Sequence, residues 1–185
     1  MEGGGDRMLE TKRLLLKPYT MTMADDVYKV INNPYIADTM IMIPHPYPKE
    51  SVNNWIRYLI SSFESGTALE YAVFLKGEEP TYIGNAGFVT VSQKHQSAEM
   101  GYFIDEAYAG QGYATEACEK LTHNGFHDLQ LNRIYARCMV RNIASQRVLQ
   151  KIGMRHEGRF LQEFKKDDQF EDIDYFAILK QEYTL

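Results

Sequence analysis

The amino-acid sequence predicts an α+β fold with a mixed sheet, on the basis of three observations. Three strand-like segments, 69–76, 81–92 and 97–105, follow one another with connections short enough for antiparallel hairpins. A segment with strong helical spacing of its apolar residues precedes them. After them, helix and strand patterns alternate, which is typical of a sheet that also contains parallel neighbours.

The first part of the chain is predicted to contain a strand, a helix and a loop. The strand covers residues 13–19 and ends at Pro18. Residues 22–33 are predicted to form a helix that begins with a Thr cap and carries acidic residues in its first turn. The proline-rich stretch 33–48, "NPYIADTMIMIPHPYP", is predicted to be a loop.

The clearest helix is predicted over residues 49–65, and Gly66 follows it as a stop signal. Its apolar residues recur on one face, which predicts core packing: Val52, Trp55, Ile56, Leu59, Ile60 and Phe63. Beyond the three central strands, the pattern predicts a helix at 113–129, a strand at 133–140, a helix at 143–152 and closing strands at 154–162 and 170–179.

Composition limits the class of protein. A chain of 185 residues that is 44% hydrophobic can bury one core without disulfide or metal staples. We therefore expect a single domain over 9–185, preceded by a loose, glycine-rich tail over 1–8. Cys118 and Cys138 lack CxxC spacing and the histidines lack metal-ligand spacing, so no metal is predicted and a reducing, cytoplasmic setting is expected.

Charge excludes further classes of partner. A net charge of -5 argues against nonspecific nucleic-acid binding, which depends on basic side chains, but it suits a cationic amine substrate. No run approaches the ~18 apolar residues that a membrane span requires, so no membrane association is expected.

The stretch "YAGQGYATEA" (108–117) places Gly110 and Gly112 directly before a predicted helix. The first N–H groups of a helix have no partner within it and carry partial positive charge, so such a turn can bind a phosphate. A dinucleotide-binding turn is a weaker interpretation, because Thr115 stands where its third glycine belongs and the preceding strands are linked by hairpins. An ordinary tight loop remains the simple alternative.

Several ordered motifs resemble the GNAT superfamily of acetyl-CoA dependent N-acetyltransferases: "AEMGYFID", "YAGQGYATEA", "RNIASQRVLQKIGM" and "EGRFLQE". Within it, they are similar to the RimJ/RimL branch, which acetylates protein N-termini. The resemblance implies the GNAT fold, with a mixed sheet of about seven strands, a splayed pair at its centre and about four flanking helices. It also implies acetyl-CoA as the cosubstrate.

The resemblance implies which residues bind the cofactor. Backbone groups near Phe103 and Ile104 would pair with the pantetheine arm, and Asn142 matches an Asn that contacts the cofactor, although it is equally a good helix N-cap. Ala109 departs from the family pattern, which has Arg or Gln there. The pyrophosphate would meet the backbone donors of Gly110, Gln111, Gly112, Tyr113, Ala114 and Thr115.

Three residues are candidates for catalysis. Strand alternation places Glu99 on one face of its strand, near the position of the base in some family members, and Glu163 is a second candidate base. Many members carry a Tyr where this chain has Leu149, whereas the RimJ/RimL branch uses a Ser that matches Ser145 as proton donor. Each also has a structural interpretation: Glu99 as a paired strand residue, Glu163 as a surface charge, and Ser145 as a hydroxyl bonded to the backbone.

We therefore predict an enzyme that transfers an acetyl group from acetyl-CoA to a primary amine, with a protein N-terminus as the expected acceptor and a monomer or homodimer as the expected assembly. A small-molecule acceptor such as a polyamine or an aminoglycoside is the alternative within this class. Two alternatives lie outside the enzyme class: a module that binds coenzyme A without catalysis, and an interaction protein.

Overall fold

The computed structural model describes residues 7–184, and it contains one sheet of eight strands in the order β1-β2-β3-β4-β5-β6-β8-β7. All neighbouring strands are antiparallel except β5 and β6, which are parallel. The strands are β1 (Leu9–Glu10), β2 (Leu14–Pro18), β3 (Leu69–Leu75), β4 (Thr81–Ser92), β5 (Ser97–Ile104), β6 (Arg133–Met139), β7 (Arg155–Lys166) and β8 (Gln169–Leu179). The sheet is therefore mixed, as predicted.

Five α-helices cover the two faces of this sheet: α1 (Ala24–Ile31), α2 (Pro34–Thr39), α3 (Lys49–Ser65), α4 (Tyr113–His127) and α5 (Ile143–Lys151). The core on one face contains Leu121 and Phe126 of α4 and Leu149 of α5. On the opposite face, Val27 of α1 and Ile56 of α3 belong to a second core. The side chains of β5 alternate between these two cores, because successive residues of a strand point to opposite faces.

The parallel pair at the centre of the sheet separates after a short ladder. Only residues 97–99 of β5 pair with 133–135 of β6, whereas β6 pairs with β8 along its whole length. Beyond Glu99 the two strands diverge and leave a gap that faces the end of β5. This confirms the predicted splayed pair.

The predicted loop 33–48 contains the helix α2, so that part of the prediction is wrong. Asn33 forms the N-cap, with its Oδ1 accepting the Tyr35 N–H at 2.8 Å, and Pro34 occupies the first turn. Proline is well tolerated there because the first N–H groups of a helix have no partner within it. A helix of six residues is too short to display a helical period, so only the Asn-Pro start indicated it.

The predicted helix 22–33 also begins differently. A 3₁₀ turn over Met21–Met23 precedes α1, and Thr22 is not the cap, since its hydroxyl bonds Thr20 Oγ1 at 2.8 Å. The acidic residues in the first turn are present as predicted. The closing strands β7 and β8 are longer than predicted and form one hairpin with two irregularities in register.

The expected tail over 1–8 falls mainly on residues 1–6, which lie outside the described residues. In the described part of the chain, no helix combines the length and the apolar character that a bilayer crossing demands.

Candidate active site

A cavity of about 680 Å³ occupies the gap between β5 and β6. Its walls come from β5, the glycine turn, the start of α5, and the segment from Tyr35 to Tyr47, which we call the acceptor wall. Trp55 of α3 also lines it, although the sequence predicted only core packing for that residue. The cavity thus joins the predicted phosphate-binding turn to the loop region across the sheet.

The glycine turn has the conformation that glycine favours. Gly110 and Gly112 have φ values of 74° and 84°, in the left-handed region, and Gly112 is the N-cap of α4. Among the described residues, the six backbone N–H groups from 110 to 115 have no acceptor. These donors lie at the positive end of a 15-residue helix, so the predicted cradle fits the two phosphates of a coenzyme A pyrophosphate.

Arg13, from the start of β2, holds this turn in place. Its Nε donates to Glu116 Oε2 at 2.6 Å, its Nη1 donates to the Gln111 carbonyl at 3.0 Å, and its guanidinium carbon lies 4.3 Å from the centre of the Tyr113 ring. Burial alone would raise the pKa of Glu116, but hydrogen bonds from Thr11 and Arg13 outweigh burial and lower it. A guanidinium therefore lies beside the turn even though position 109 is Ala.

The sequence analysis missed Arg13 because nothing local marks it. It acts on residues about a hundred positions further along the chain, and one arginine before a strand has no distinctive spacing.

Phe103 and Ile104 lie at the end of β5, where β6 has already diverged. On their other side they pair with Asn85 and Gly84 of β4. A Cβ at Gly84 would lie 2.1 Å from the Phe103 carbonyl oxygen, so only glycine lets β4 approach this closely. Both residues line the cavity, and no strand pairs with them on the β6 side, as the pantetheine prediction requires.

Asn142 and Ser145 lie together at the start of α5. Asn142 Oδ1 accepts the Ser145 N–H at 3.0 Å, and its Nδ2 donates to the Thr39 carbonyl at 3.0 Å. Asn142 is thus an N-cap that also ties α5 to α2, and it lines the cavity. The cap and the predicted cofactor contact are compatible.

The Ser145 hydroxyl lies 2.8 Å from the hydroxyl of Tyr102 on β5. Burial raises the pKa of Tyr102 well above its ordinary value, so the phenol is neutral and can donate a hydrogen bond. Burial also raises the pKa of the neighbouring Cys138 thiol to about 11, while a hydrogen bond with Ser145 opposes this. Leu149 is fully buried, and the phenol that contacts Ser145, that of Tyr102, comes from β5.

Glu99 lines the cavity but is tied to a cation. Its Oε1 accepts Arg137 Nε at 2.7 Å, and its Oε2 lies 3.5 Å from the Tyr135 hydroxyl. Glu163 is exposed on β7, accepts a hydrogen bond from Tyr175 at 2.7 Å and is not part of the cavity wall. The structure therefore brings Glu99 and Ser145 to one cavity and leaves Glu163 outside it.

A second carboxylate in the cavity, Glu70 of β3, was not predicted. Asn85 Nδ2 donates to Glu70 Oε2 at 2.8 Å, and Asn85 Oδ1 accepts the Tyr19 hydroxyl at 2.9 Å. The Tyr82 hydroxyl lies 3.2 Å from that of Tyr19. Burial raises the pKa of Glu70 to about 6, and the Asn85 amide opposes the shift.

The acceptor wall is fastened to the other end of the sheet. Lys166 Nζ, at the end of β7, donates to the carbonyls of Met40 at 2.8 Å and Ile43 at 3.1 Å. Arg141 pairs with Asp38 of α2 at 2.8 Å and with Glu171 of β8 at 2.9 Å. The segment therefore has a fixed position over the cavity.

The family resemblance implies that this segment shapes acceptor choice through Tyr35, Met40, His45 and Tyr47, with coverage of the core as the alternative role. Tyr35, Met40 and Tyr47 line the cavity, whereas His45 lines a separate charged depression that includes Asp167.

Comparison with known proteins agrees with this geometry. Residues 13–155 match the family model described as an acetyltransferase (GNAT) domain. An uncharacterized N-acetyltransferase of Bacillus subtilis (strain 168), YnaD, is 32% identical over 95% of this chain and 99% of its own length. A ribosomal-protein-serine acetyltransferase of Escherichia coli (strain K12) is 26% identical over 70% of each chain.

Among solved structures, RimL, a ribosomal L7/L12 alpha-N-protein acetyltransferase in complex with coenzyme A, superposes with a TM-score of 0.86. The superposition covers 94% of this chain and 98% of the RimL chain, at 18% sequence identity. It shows that the two chains share a fold.

Proposed function

The chain belongs to the GNAT acetyltransferase family and is an N-acetyltransferase of that type, dependent on acetyl-CoA, and from this premise we propose that its acceptor is the N-terminal amine of a protein. The observation that carries this proposal is the single cavity in which an apolar acceptor wall faces the glycine turn. The names of the Escherichia coli relative and of RimL, which concern ribosomal proteins, support the same acceptor class.

We assign acetyl-CoA to the two features that fit it. The unpaired N–H groups of Gly110, Gln111, Gly112, Tyr113, Ala114 and Thr115 would hold the pyrophosphate. The free edge of β5 at Phe103 and Ile104 would pair with the pantetheine amides, and Asn142 would contact the arm from the start of α5. This arrangement brings the thioester to the gap between β5 and β6.

The charges of the cavity favour an acceptor with one amino group. Its lining contains two carboxylates, Glu70 and Glu99, and three cations, Arg137, Arg147 and Lys151. Arg137 already neutralises Glu99. A polyamine would bring several positive charges to a cavity with one free carboxylate, whereas a peptide N-terminus brings one charge and an apolar side chain that the wall can cover.

The proton inventory also favours an N-terminus. An α-amine with a pKa of about 8 is roughly 10% neutral at pH 7, so its deprotonation costs only about 1.4 kcal/mol, compared with about 4.6 kcal/mol for a lysine side chain. The amine nitrogen then attacks the thioester carbonyl, and the C–S bond breaks. We propose that the Ser145 hydroxyl, backed by Tyr102, donates the proton that the departing thiolate takes up.

We retain Glu99 as a residue that positions Arg137 at the gap, because their contact is short and the carboxylate is only 13% exposed. Glu163 contacts Tyr175 at 2.7 Å and does not line the cavity, so we assign it no direct part in the reaction.

The test measures thiol release from acetyl-CoA against peptides that begin with Ala or Ser, against the same peptides with a blocked N-terminus, and against spermidine and an aminoglycoside. We expect release with the free peptides and none with the blocked ones. Preferential release with spermidine or the aminoglycoside would refute the acceptor. A rise in melting temperature with acetyl-CoA but no release with any acceptor would indicate a binding module.

A further inference from the structure

We propose that Glu70 is the residue that binds the acceptor ammonium group and removes its proton. This inference rests on the proposed function and deepens it, because it defines the acceptor as a single amine delivered across an apolar wall to one buried carboxylate.

The geometry around Glu70 leaves one oxygen for a ligand. The residue is 8% exposed, and Asn85 occupies Oε2. Oε1 has no hydrogen-bond partner among the described residues. If Oε1 were fully buried, it would be a buried polar atom without a partner. Among the described residues, the only such side-chain atom is His123 Nδ1, so Glu70 Oε1 is accessible. Because Glu70 lines the cavity, this oxygen is available to an amine there.

The strand register places Glu70 opposite the reaction gap. Glu70 of β3 pairs with Gly87 of β4, and Gly87 pairs with Gly101 of β5, so the three residues form one row across the sheet. Two strand spacings, about 10 Å, separate the ends of this row. Neither glycine contributes a side chain, and the bulge residue Val89 lies over Gly101. Glu70, Val89 and Gly101 all line the cavity, so an amine or a bridging water would lie beside Val89, between the carboxylate and the gap.

Glycine at position 87 is also what lets Glu70 lie where it does. A Cβ at Gly87 would lie 2.3 Å from the Glu70 Cα and 2.4 Å from the Leu69 carbonyl oxygen. These distances are far below any real contact, so another residue at 87 would push β3 and its carboxylate away from β4.

The charge environment suits a base. Burial raises the pKa of Glu70 to about 6, which leaves it mostly ionised at pH 7 yet a better proton acceptor than an exposed carboxylate. The titratable and charged groups along its hydrogen-bond chain are Tyr19, Tyr82 and, near Tyr82, Asp26 and Asp105. Those that line the rest of the cavity are the Glu99–Arg137 pair, Arg147, Lys151, Cys138, Tyr35, Tyr47, Tyr102, Tyr108 and Tyr113. Glu70 thus has no cation as a direct partner among the described residues, in contrast to Glu99.

The protons balance as follows. Glu70 takes one proton from the bound ammonium group, directly or through one water, and later releases it to solvent. The neutral nitrogen forms the N–C bond to the acetyl carbonyl as the C–S bond breaks. The nitrogen loses its second proton to solvent, the thiolate gains one from the Ser145 hydroxyl, and solvent returns a proton to Ser145. The net products are the acetylated amine, the coenzyme A thiol and one proton.

The test is the pH profile of kcat/KM for a peptide with an N-terminal Ala, measured for the wild type, Glu70→Gln and Glu64→Gln. Glu64 is an exposed glutamate of α3 and serves as the matched control. For the wild type, the ionised base and the charged amine must coexist, so we expect activity to fall below pH about 6 and above the amine pKa of about 8. Glu64→Gln keeps this shape.

Glu70→Gln must rely on amine that is already neutral. We expect its kcat/KM at pH 7 to fall roughly 10²-fold and its activity to follow the neutral amine, so that it falls about tenfold per pH unit below about 8 and levels off above 8. The acetyl-CoA-induced rise in melting temperature should persist. A profile for Glu70→Gln with the wild-type bell shape overturns the proposal, as does loss of the inflection near pH 6 in Glu99→Gln but not in Glu70→Gln.

Glu70→Asp covers the case in which the Gln variant does not fold. It retains the wild-type bell shape at lower kcat/KM if the carboxylate is the base, and a profile that instead follows the neutral amine would refute the role. If the wild type releases no thiol with any amine, the proposed function fails instead, so the two failures are distinguishable.

Discussion

Replacing Glu70 should make the protein more stable while it makes the enzyme worse. The carboxyl has a pKa of about 6 in the folded protein against an ordinary value of 4.5, so the folded state binds more protons between these two values. The stability that this group contributes is fully present below pH 4.5 and is lost as the pH rises through 6. A difference of 1.5 in pKa corresponds to about 2 kcal/mol of destabilisation at pH 7.

Glu70→Gln removes this cost, because glutamine is neutral and its amide oxygen can still accept the Asn85 N–H. We expect the free energy of unfolding at pH 7 to rise by about 2 kcal/mol, or the melting temperature by about 5 °C. The advantage should shrink towards zero as the pH falls from 7 to 4.5. Urea unfolding at several pH values measures this, with Glu64→Gln as control.

The reasoning fails if Glu70→Gln is less stable than the wild type at pH 7, or if the difference does not depend on pH. Either result would mean that the ionised carboxylate stabilises the fold through its hydrogen bonds. By contrast, functional sites often contain a buried charge that lowers the stability of the fold but is needed for turnover.

Three further predictions concern the cofactor side of the cavity. Gly112→Ala, at a φ of 84°, should lower the free energy of unfolding in urea by about 1 kcal/mol, and calorimetry should show weaker acetyl-CoA binding. The control is Gly158→Ala, where a Cβ meets nothing within 4 Å, and it should leave acetyl-CoA affinity unchanged. Ser145→Ala should lower kcat roughly 10²-fold with unchanged acetyl-CoA affinity. Tyr102→Phe should lower kcat less in the Ser145→Ala background than in the wild type. Fully additive effects of the two substitutions on kcat would contradict a shared proton path. Arg13→Ala should lower both stability, by about 1 kcal/mol, and acetyl-CoA affinity; an unchanged affinity would show that the turn holds its shape without Arg13.

Much of the fold was predictable because its elements are long and periodic. The stripe on α3 and the hairpin-linked strands β3 to β5 carry their pattern locally, and the structure confirms them. The helix α2 was missed because six residues offer too few turns for a period to appear. The glycine turn was predictable because Gly110 and Gly112, which mark it in the sequence, adopt the left-handed conformation that glycine favours.

The carboxylates show where prediction from sequence stops. Glu99 and Glu70 each stand in an alternating strand, and nothing local distinguishes a paired carboxylate from a free one. Arg137, which neutralises Glu99, lies 38 positions further on, and Asn85, which orients Glu70, lies 15 positions further on. Only the strand register, which brings these partners together, identifies the carboxylate that remains free.

The fastening of the acceptor wall suggests how such a cavity can diversify. Lys166 holds the carbonyls of Met40 and Ile43, yet it stands at the end of a hairpin strand and not in the cavity lining. A substitution at the hairpin tip can therefore shift the wall and change which acceptors fit, while the residues proposed to bind the cofactor stay the same. Acceptor preference and cofactor binding can in this way evolve separately within one small domain.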